Sequence, residues 1–135
     1  MAEIVADRVL ETSLTTGTGP YTLNGAVLGF RTVASVASAL DTFNYFAEDI
    51  LLNGAPSGGW EVGIGTVNAN GTIDRAVQTS SNNNLPVSWA AGTRRFGLGL
   101  SASQFNRVYV SAIQAATSLI QTQKIMAEMV LRGQA

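Results

Sequence analysis

The chain has 135 residues, enough for one ordinary domain with a hydrophobic core. Its net charge is −1 and its only adjacent basic pair is Arg94-Arg95, which we expect to point to opposite faces of a strand. This balance argues against a nucleic-acid partner, because nucleic-acid binding needs clustered Lys and Arg. The absence of Cys and His excludes disulfides and thiol chemistry and removes the commonest general base and transition-metal ligand.

Charged residues make up only 13% of the chain, against about 25% in typical proteins. So few charges favour a protein that hides part of its surface in an oligomer or a packed assembly. The first seven residues lack the basic start and apolar core of a signal peptide, and no apolar run approaches about 18 residues. We therefore expect synthesis in the cytoplasm and no membrane partner.

The spacing of turn-forming residues changes near residue 100. Before that point, Gly, Thr, Ser and Asn interrupt short apolar runs about every ten residues, which is typical of a sandwich or barrel. We predict a β-rich domain over 1–100 and a helical segment over 101–135. The fold class is therefore mainly β, an antiparallel β-sandwich or barrel followed by a long C-terminal α-helix. The predicted strands are Ala6–Leu14, Tyr21–Leu23, Phe30–Val36, Phe43–Leu52, Trp60–Val67, Thr72–Thr79, Leu85–Trp89 and Arg94–Leu100.

Turn residues separate these strands. Asn24-Gly25 and Asn70-Gly71 are the strongest hairpin signals. The run Thr32–Leu40 also fits a helical stripe, and periodicity over so short a run does not separate helix from strand. We favour a strand to about Val36 and then a loop through Asp41-Thr42.

The strand Trp60–Val67 alternates bulky with small or charged residues. Trp60, Val62 and Ile64 form one face, and we predict that this face is buried. The other face carries Glu61, Gly63 and Gly65, where glycine can mark a bulge or the close approach of another backbone. Trp89 also fits an inward alternation.

From Ser103 to Arg132 the pattern predicts one helix, about 45 Å long. Its apolar residues recur in steps of four and three, as in a coiled coil, and Gln123 interrupts this seam. The helix either packs on its own sheet or associates with copies of itself, and we favour self-association because the end near Met129 has almost no polar side. The predicted oligomer interface is Phe105, Tyr109, Ala112, Ile113, Ala116, Leu119, Ile120, Met126 and Val130.

The sequence offers little catalytic chemistry. Nothing places two of the carboxylates Glu48, Asp49, Glu61 and Asp74 together, so we interpret them as solvated or loop-anchoring acids. Ser80-Ser81 has no base to activate it, and neither Gly63-Ile64-Gly65 nor Gly97-Leu98-Gly99 has the third glycine of a dinucleotide-binding motif. We expect no enzyme activity, no cofactor and no metal.

Several short segments of the sequence together carry a family resemblance. They are Asp7-Arg8-Val9-Leu10-Glu11-Thr12-Ser13, Thr16-Gly17-Thr18-Gly19, Tyr21-Thr22-Leu23, Trp60-Glu61-Val62-Gly63-Ile64-Gly65-Thr66, Ser80-Ser81-Asn82 and Val87-Ser88-Trp89-Ala90-Ala91-Gly92-Thr93. In order and spacing they resemble a module that recurs in virion proteins of tailed bacteriophages, over roughly residues 6 to 96. The module occurs in tail fibres, often near the virion-binding end, and in small capsid-surface proteins. The resemblance implies a β-sandwich or barrel that docks to a virion and often trimerises.

After the module the sequence predicts only a helix, and we expect neither the shaft nor the receptor-binding tip of a tail fibre. We therefore expect a homotrimeric capsid decoration protein or head-fibre base that is synthesised in the host cytoplasm and located in the virion. Its partners would be copies of itself and other virion proteins such as the major capsid protein. The alternatives are a tail, collar or neck adaptor, and a carbohydrate-binding module. The last would need Trp60 or Trp89 exposed beside a polar loop such as Ser80–Asn84.

Overall fold

The structure, a computed structural model, describes residues 1–133, and for Ser103, Gln104 and Val108 it describes the backbone only. The chain forms two compact units, Met1–Ser101 and the helical segment that starts at Ala102. The strands are β1 (Glu3–Ile4), β2 (Leu10–Ser13), β3 (Leu23–Ala26), β4 (Thr42–Ile50), β5 (Pro56–Val67), β6 (Ile73–Ser80) and β7 (Thr93–Leu98). A short 3-10 helix spans Val33–Ser35, and the helix α1 spans Ala102–Gly133. The predicted mainly β, antiparallel architecture followed by a long C-terminal helix is confirmed.

The seven strands form one open sheet, in which six follow the order β3-β2-β7-β4-β5-β6 with antiparallel neighbours. The short β1 runs parallel to the start of β4. The two ends of this sheet meet at one point, where Tyr21 and Ile73 exchange two backbone hydrogen bonds of 2.9 Å each. Because Tyr21 lies two residues before β3 and Ile73 begins β6, this exchange pins the curled sheet across its open side.

The core lies on the concave side of this sheet and is rich in aromatic rings. Tyr45 stacks on Phe96 with ring centroids 5.1 Å apart, and Phe43 meets Phe96 edge-on at 6.1 Å. Tyr21 lies 5.1 Å from the ring of Phe96 and 5.8 Å from that of Tyr45. All four rings are at most 1% exposed. Such a cluster combines large buried apolar area with specific ring geometry, which contributes to the stability of the core.

The predicted orientation of β5 is wrong. Glu61 is fully buried, together with the inward-facing Gly63 and Gly65, whereas Trp60 is 43% exposed. The reason is the space that the core leaves. A Cβ at position 65 would lie 2.8 Å from both Phe43 and Ile73, and one at position 63 would lie 2.4 Å from a backbone oxygen of β6. The glycines therefore face the crowded side of the sheet, beside a bulge in the pairing of β5 with β6.

Two predicted strands are also wrong. Phe30–Val36 contains a 3-10 turn, in which the hydroxyl of Thr32 accepts a hydrogen bond from the Ser35 N–H at 3.2 Å. Leu85–Trp89 is not a regular strand, although Trp89 exchanges backbone hydrogen bonds of 2.8 and 3.1 Å with Gly17. In both segments side-chain capping or an isolated bridge satisfies backbone groups that a ladder would otherwise use.

The two hairpin signals have different outcomes. Asn70-Gly71 does form the turn between β5 and β6, with Gly71 at φ +85° and its N–H bonded to the Asn68 oxygen at 2.9 Å. Asn24-Gly25 lies inside β3, so that prediction is wrong. The connection from β2 to β3 is instead a loop in which the Ser13 hydroxyl donates to the Thr22 oxygen at 2.7 Å. This side-chain bond holds the two ends of the loop together.

Candidate functional site

A buried ion pair occupies the interior of the sheet. Glu61 on β5 accepts two hydrogen bonds from Arg75 on β6, at 2.8 Å from Nε and 2.5 Å from Nη2. The side chains of both residues are at most 2% exposed. Carboxylate and guanidinium match in a fork-to-fork geometry that adds both strength and direction. The prediction that Glu61 is a solvated or loop-anchoring acid is therefore wrong.

Further donors complete the hydrogen bonding of the Glu61 carboxylate oxygens. The hydroxyls of Tyr21 and Tyr45 donate to Oε1 at 2.5 and 2.8 Å, and the Val87 N–H donates to Oε2 at 3.0 Å. The indole N–H of Trp89 in turn donates to the Tyr21 hydroxyl at 2.9 Å. Five donors thus surround one carboxylate. With every lone-pair direction used and no solvent access, this cluster acts as a structural network that joins β5, β6 and the loops.

The pKa values of the cluster follow from this geometry. Burial by itself would raise the pKa of Glu61, but the hydrogen bonds from Arg75, Tyr21, Val87 and Tyr45 outweigh it and hold that pKa below its usual value. Burial and the neighbouring Glu61 carboxylate raise the pKa values of Tyr21 and Tyr45. Glu61 is therefore ionised and both phenols are neutral donors at ordinary pH, which is the state that the network needs.

Arg94 and Arg95 lie on β7 and point to opposite faces, as predicted. Arg94 is fully buried, with Nε 2.9 Å from Asp49, Nη1 donating to the Thr15 oxygen at 2.6 Å, and Nη2 donating to the Ala90 oxygen. Arg95 pairs with Glu48 at 2.8 Å on the other face, where both side chains are 29% exposed. Asp49 and Glu48 are therefore ion-paired acids on β4 and do not anchor loops.

The second feature with functional weight is α1, which spans 32 residues. Every side chain of α1 that the structure describes is exposed, including large apolar ones. Phe105 and Tyr109 stack on each other one turn apart, with ring centroids 5.6 Å apart. Farther along, Leu119 and Ile120 are 60% and 65% exposed. The helix thus presents an exposed apolar face.

The residues predicted for the oligomer interface all lie on α1. The structure brings them together in the sense that i, i+3, i+4 and i+7 positions share one side of a helix. Each is exposed: Phe105, Tyr109, Ala112, Ile113, Ala116, Leu119, Ile120, Met126 and Val130. We name this set the helix face. Its role in association stays a prediction.

The two tryptophans, both predicted to point inward, have different outcomes. Trp89, predicted to point inward, is 3% exposed. Trp60, predicted to be core, is exposed, and its backbone N–H and C=O bond the hydroxyl and N–H of Ser81 at 3.1 and 3.0 Å. The backbone of Trp60 therefore pairs with the first residue of the polar turn 81–84, and its indole is exposed. The sequence signal for this placement is the glycine-rich opposite face of β5.

Searches against protein families, curated proteins and solved structures found no match for this chain. Among the residues that the structure describes, no group of three or more acidic side chains is arranged to hold a metal ion. Within 1–133, no helix has both the length and the apolar run needed to cross a bilayer.

Proposed function

We propose that this chain is a non-enzymatic structural protein of a tailed-phage virion that assembles as a homotrimer through α1. The observation that carries the proposal is the exposed helix face. Fully burying one Leu or Ile side chain stabilises a structure by about 1.5–3 kcal/mol, and this face offers several of them. Most helical stability in proteins comes from packing of an apolar face, and association would supply that packing to α1.

Three helices suit this face better than two. Ile113 and Ile120 lie beside the seam, so the apolar surface is wider than the narrow stripe of a two-stranded coiled coil. Positions that flank a coiled-coil seam often carry Glu or Lys for pairing between two helices. Here they carry isoleucine, which a third helix would cover.

The virion assignment rests on the resemblance over residues 6 to 96. In this proposal the β unit, which is the compact unit Met1–Ser101, contacts neighbouring shell subunits, with the major capsid protein as its principal partner, and α1 ties three copies together. The buried ion pairs support such a role, because a rigid sheet presents the same surface in each copy. A capsid decoration protein or head-fibre base is the form that we favour.

The decisive first measurement is the solution mass of the purified full chain by light scattering. One chain has a mass of 14.1 kDa, and we expect a measured mass three times as large. Leu119→Asp and Ile120→Asp should reduce this mass to that of the monomer, because each places a charge in the proposed buried interface. Gln114→Asp and Gln121→Asp on the polar side are matched controls and should remain trimeric. A wild-type monomer, or trimeric Leu119→Asp and Ile120→Asp variants, would refute assembly through α1.

Location on the particle separates decoration from the adaptor alternative. Phage particles that carry the protein, imaged by electron microscopy with an antibody against the β unit, should show label over the head surface. Label confined to the neck, collar or tail would replace the decoration role by that of an adaptor. Absence of the protein from purified particles would refute the virion assignment.

A carbohydrate-binding module is a second candidate, favoured by one observation. Trp60 is 43% exposed next to Ser81 and the asparagines of the following turn, an arrangement in which an indole can stack on a sugar ring while amides bind its hydroxyls. A glycan array probed with the full chain tests it. Binding that is lost in Trp60→Ala and kept in the Leu85→Ala control would support this candidate, and an array without signal would refute it.

A further inference from the structure

The open side of the sheet contains a cleft with one buried carboxylate in its wall. The cleft has a volume of about 300 Å³, at the lower end of the range for small-molecule sites. Its apolar walls come from Leu23 of β3, Val33 and Ala37 of the following turn, Val67 of β5 and Ile73 of β6. Glu11 of β2 also lines it and is 5% exposed.

Glu11 differs from the other acids of the sheet that are buried or partly buried. Glu61 is paired with Arg75, Asp49 with Arg94 and Glu48 with Arg95. Glu11 accepts a hydrogen bond from the Val33 N–H at 2.8 Å through Oε2, and among residues 1–133 it forms no ion pair. A buried carboxylate without a cation is costly, because its lost hydration is incompletely replaced.

We infer that this cleft binds a primary ammonium group on an aliphatic chain. The ammonium pairs with the free oxygen of Glu11, and the methylene groups lie against the apolar walls. A lysine side chain of another protein and a soluble alkyl polyamine both have this chemistry. The inference does not depend on the proposed trimer, since none of the cleft residues named here lies on α1.

An NMR titration of the ¹⁵N-labelled full chain tests the inference with n-pentylammonium chloride as the probe. Saturable shifts of the Val33, Val67 and Gly71 amides are expected. The isosteric alcohol n-pentanol lacks the charge. It should bind with an affinity at least about tenfold lower, because hydrogen bonds to charged groups are the stronger ones. Equal responses to both probes, or no saturable response to the ammonium, would overturn the inference without any variant being made.

A matched pair of variants assigns the effect to Glu11. Glu11→Gln keeps an oxygen for the Val33 N–H and removes the charge, so binding of n-pentylammonium should weaken by about tenfold or more. Glu3→Gln makes the same change at an exposed acid and should bind as the wild type does. Unchanged binding in Glu11→Gln, with the amide spectrum otherwise intact, would overturn the assignment.

Two further probes separate the sources of the ammonium group. Nα-acetyl-lysine methylamide presents the side chain as a protein would, and putrescine carries a second charge at its far end. Tighter binding of the lysine derivative would indicate a protein side chain, since Glu11 is the one acid among the residues that line the cleft and the second charge of putrescine would find no carboxylate there. Tighter binding of putrescine would indicate a free polyamine. Both results support an ammonium site and leave the assembly role to its own test.

Discussion

Glu61 and Arg75 form a bidentate ion pair inside the sheet, with nitrogen–oxygen distances of 2.8 and 2.5 Å. The two residues lie on adjacent strands, and the pair is closed on its other sides by phenol and backbone donors. It gives the interior of a mainly apolar domain a polar centre.

Removing one partner of this pair should be severe. Glu61→Gln leaves the Arg75 charge buried without a counter-ion, and we expect a loss of about 3–5 kcal/mol in the free energy of unfolding. Denaturation of the full chain, followed by the fluorescence of the buried Trp89, measures it. Glu48→Gln is the control at the half-exposed pair with Arg95 and should cost less than about 1 kcal/mol. Equal losses in the two variants would contradict the structural role of the Glu61 cluster.

Replacing both partners should cost less than breaking the pair. In Glu61→Leu/Arg75→Met neither charge remains to be desolvated, so this double variant should be more stable than Glu61→Gln. The same denaturation measurement decides it. A double variant less stable than Glu61→Gln would mean that the remaining polar neighbours, left without an acceptor, dominate the energetics.

The stability of the β unit should fall in acid. Because the folded state lowers the pKa of Glu61, the unfolded chain binds the proton more tightly. The stabilisation is therefore complete above the unfolded pKa of about 4.3 and is lost as the pH falls through the lower, folded pKa. Asp41 acts in the same direction, because hydrogen bonds from the Ser38 and Ala2 N–H groups lower its pKa. Unfolding curves between pH 7 and pH 2 measure the loss, and Glu61→Leu/Arg75→Met should show a flatter profile. Parallel profiles would exclude Glu61 as the source.

Gly63 should tolerate no side chain. A Cβ there would lie 2.4 Å from the backbone oxygen of Ala76, and a backbone atom cannot rotate away. We expect Gly63→Ala to lower the free energy of unfolding by about 1–3 kcal/mol or more through overpacking. Gly19→Ala is the control, since a Cβ at that position meets no atom within 4 Å. A neutral Gly63→Ala variant would contradict the described pairing of β5 with β6.

Gln123 should set the register of the proposed trimer. It lies on α1 in line with the apolar seam, where a polar layer specifies alignment at a cost in stability. Gln123→Leu should raise the thermal midpoint of the helix, measured by circular dichroism, and broaden the mass distribution in light scattering. Gln121→Leu on the polar side should leave the mass distribution unchanged. A Gln123→Leu variant that is less stable than the wild type would contradict the placement of Gln123 in a buried seam.

The approximate location of most elements could be predicted from the sequence, because their signals are local. The helix predicted over Ser103–Arg132 spans Ala102–Gly133, and β4, β6 and β7 lie within a few residues of their predicted bounds. A long helical stripe and runs of β-formers between turns report the backbone conformation without knowledge of partners. The turn at Asn70-Gly71 is confirmed for the same reason, since only local chemistry decides it.

The tertiary structure alone decided which face of β5 is buried and which charges lie inside. Alternation shows that Trp60 and Glu61 point to opposite sides of the sheet but does not show which side is buried. The buried side is decided by Phe43 and Ile73, which crowd Gly65, and by Arg75, which lies on the adjacent strand and offsets the burial of Glu61. These contacts come from residues that are distant in sequence, and residues that are distant in sequence also form the cleft around Glu11. By itself the sequence determined the backbone elements and the apolar face of α1, because both follow from periodicity along one segment, whereas packing between segments determined the polar interior.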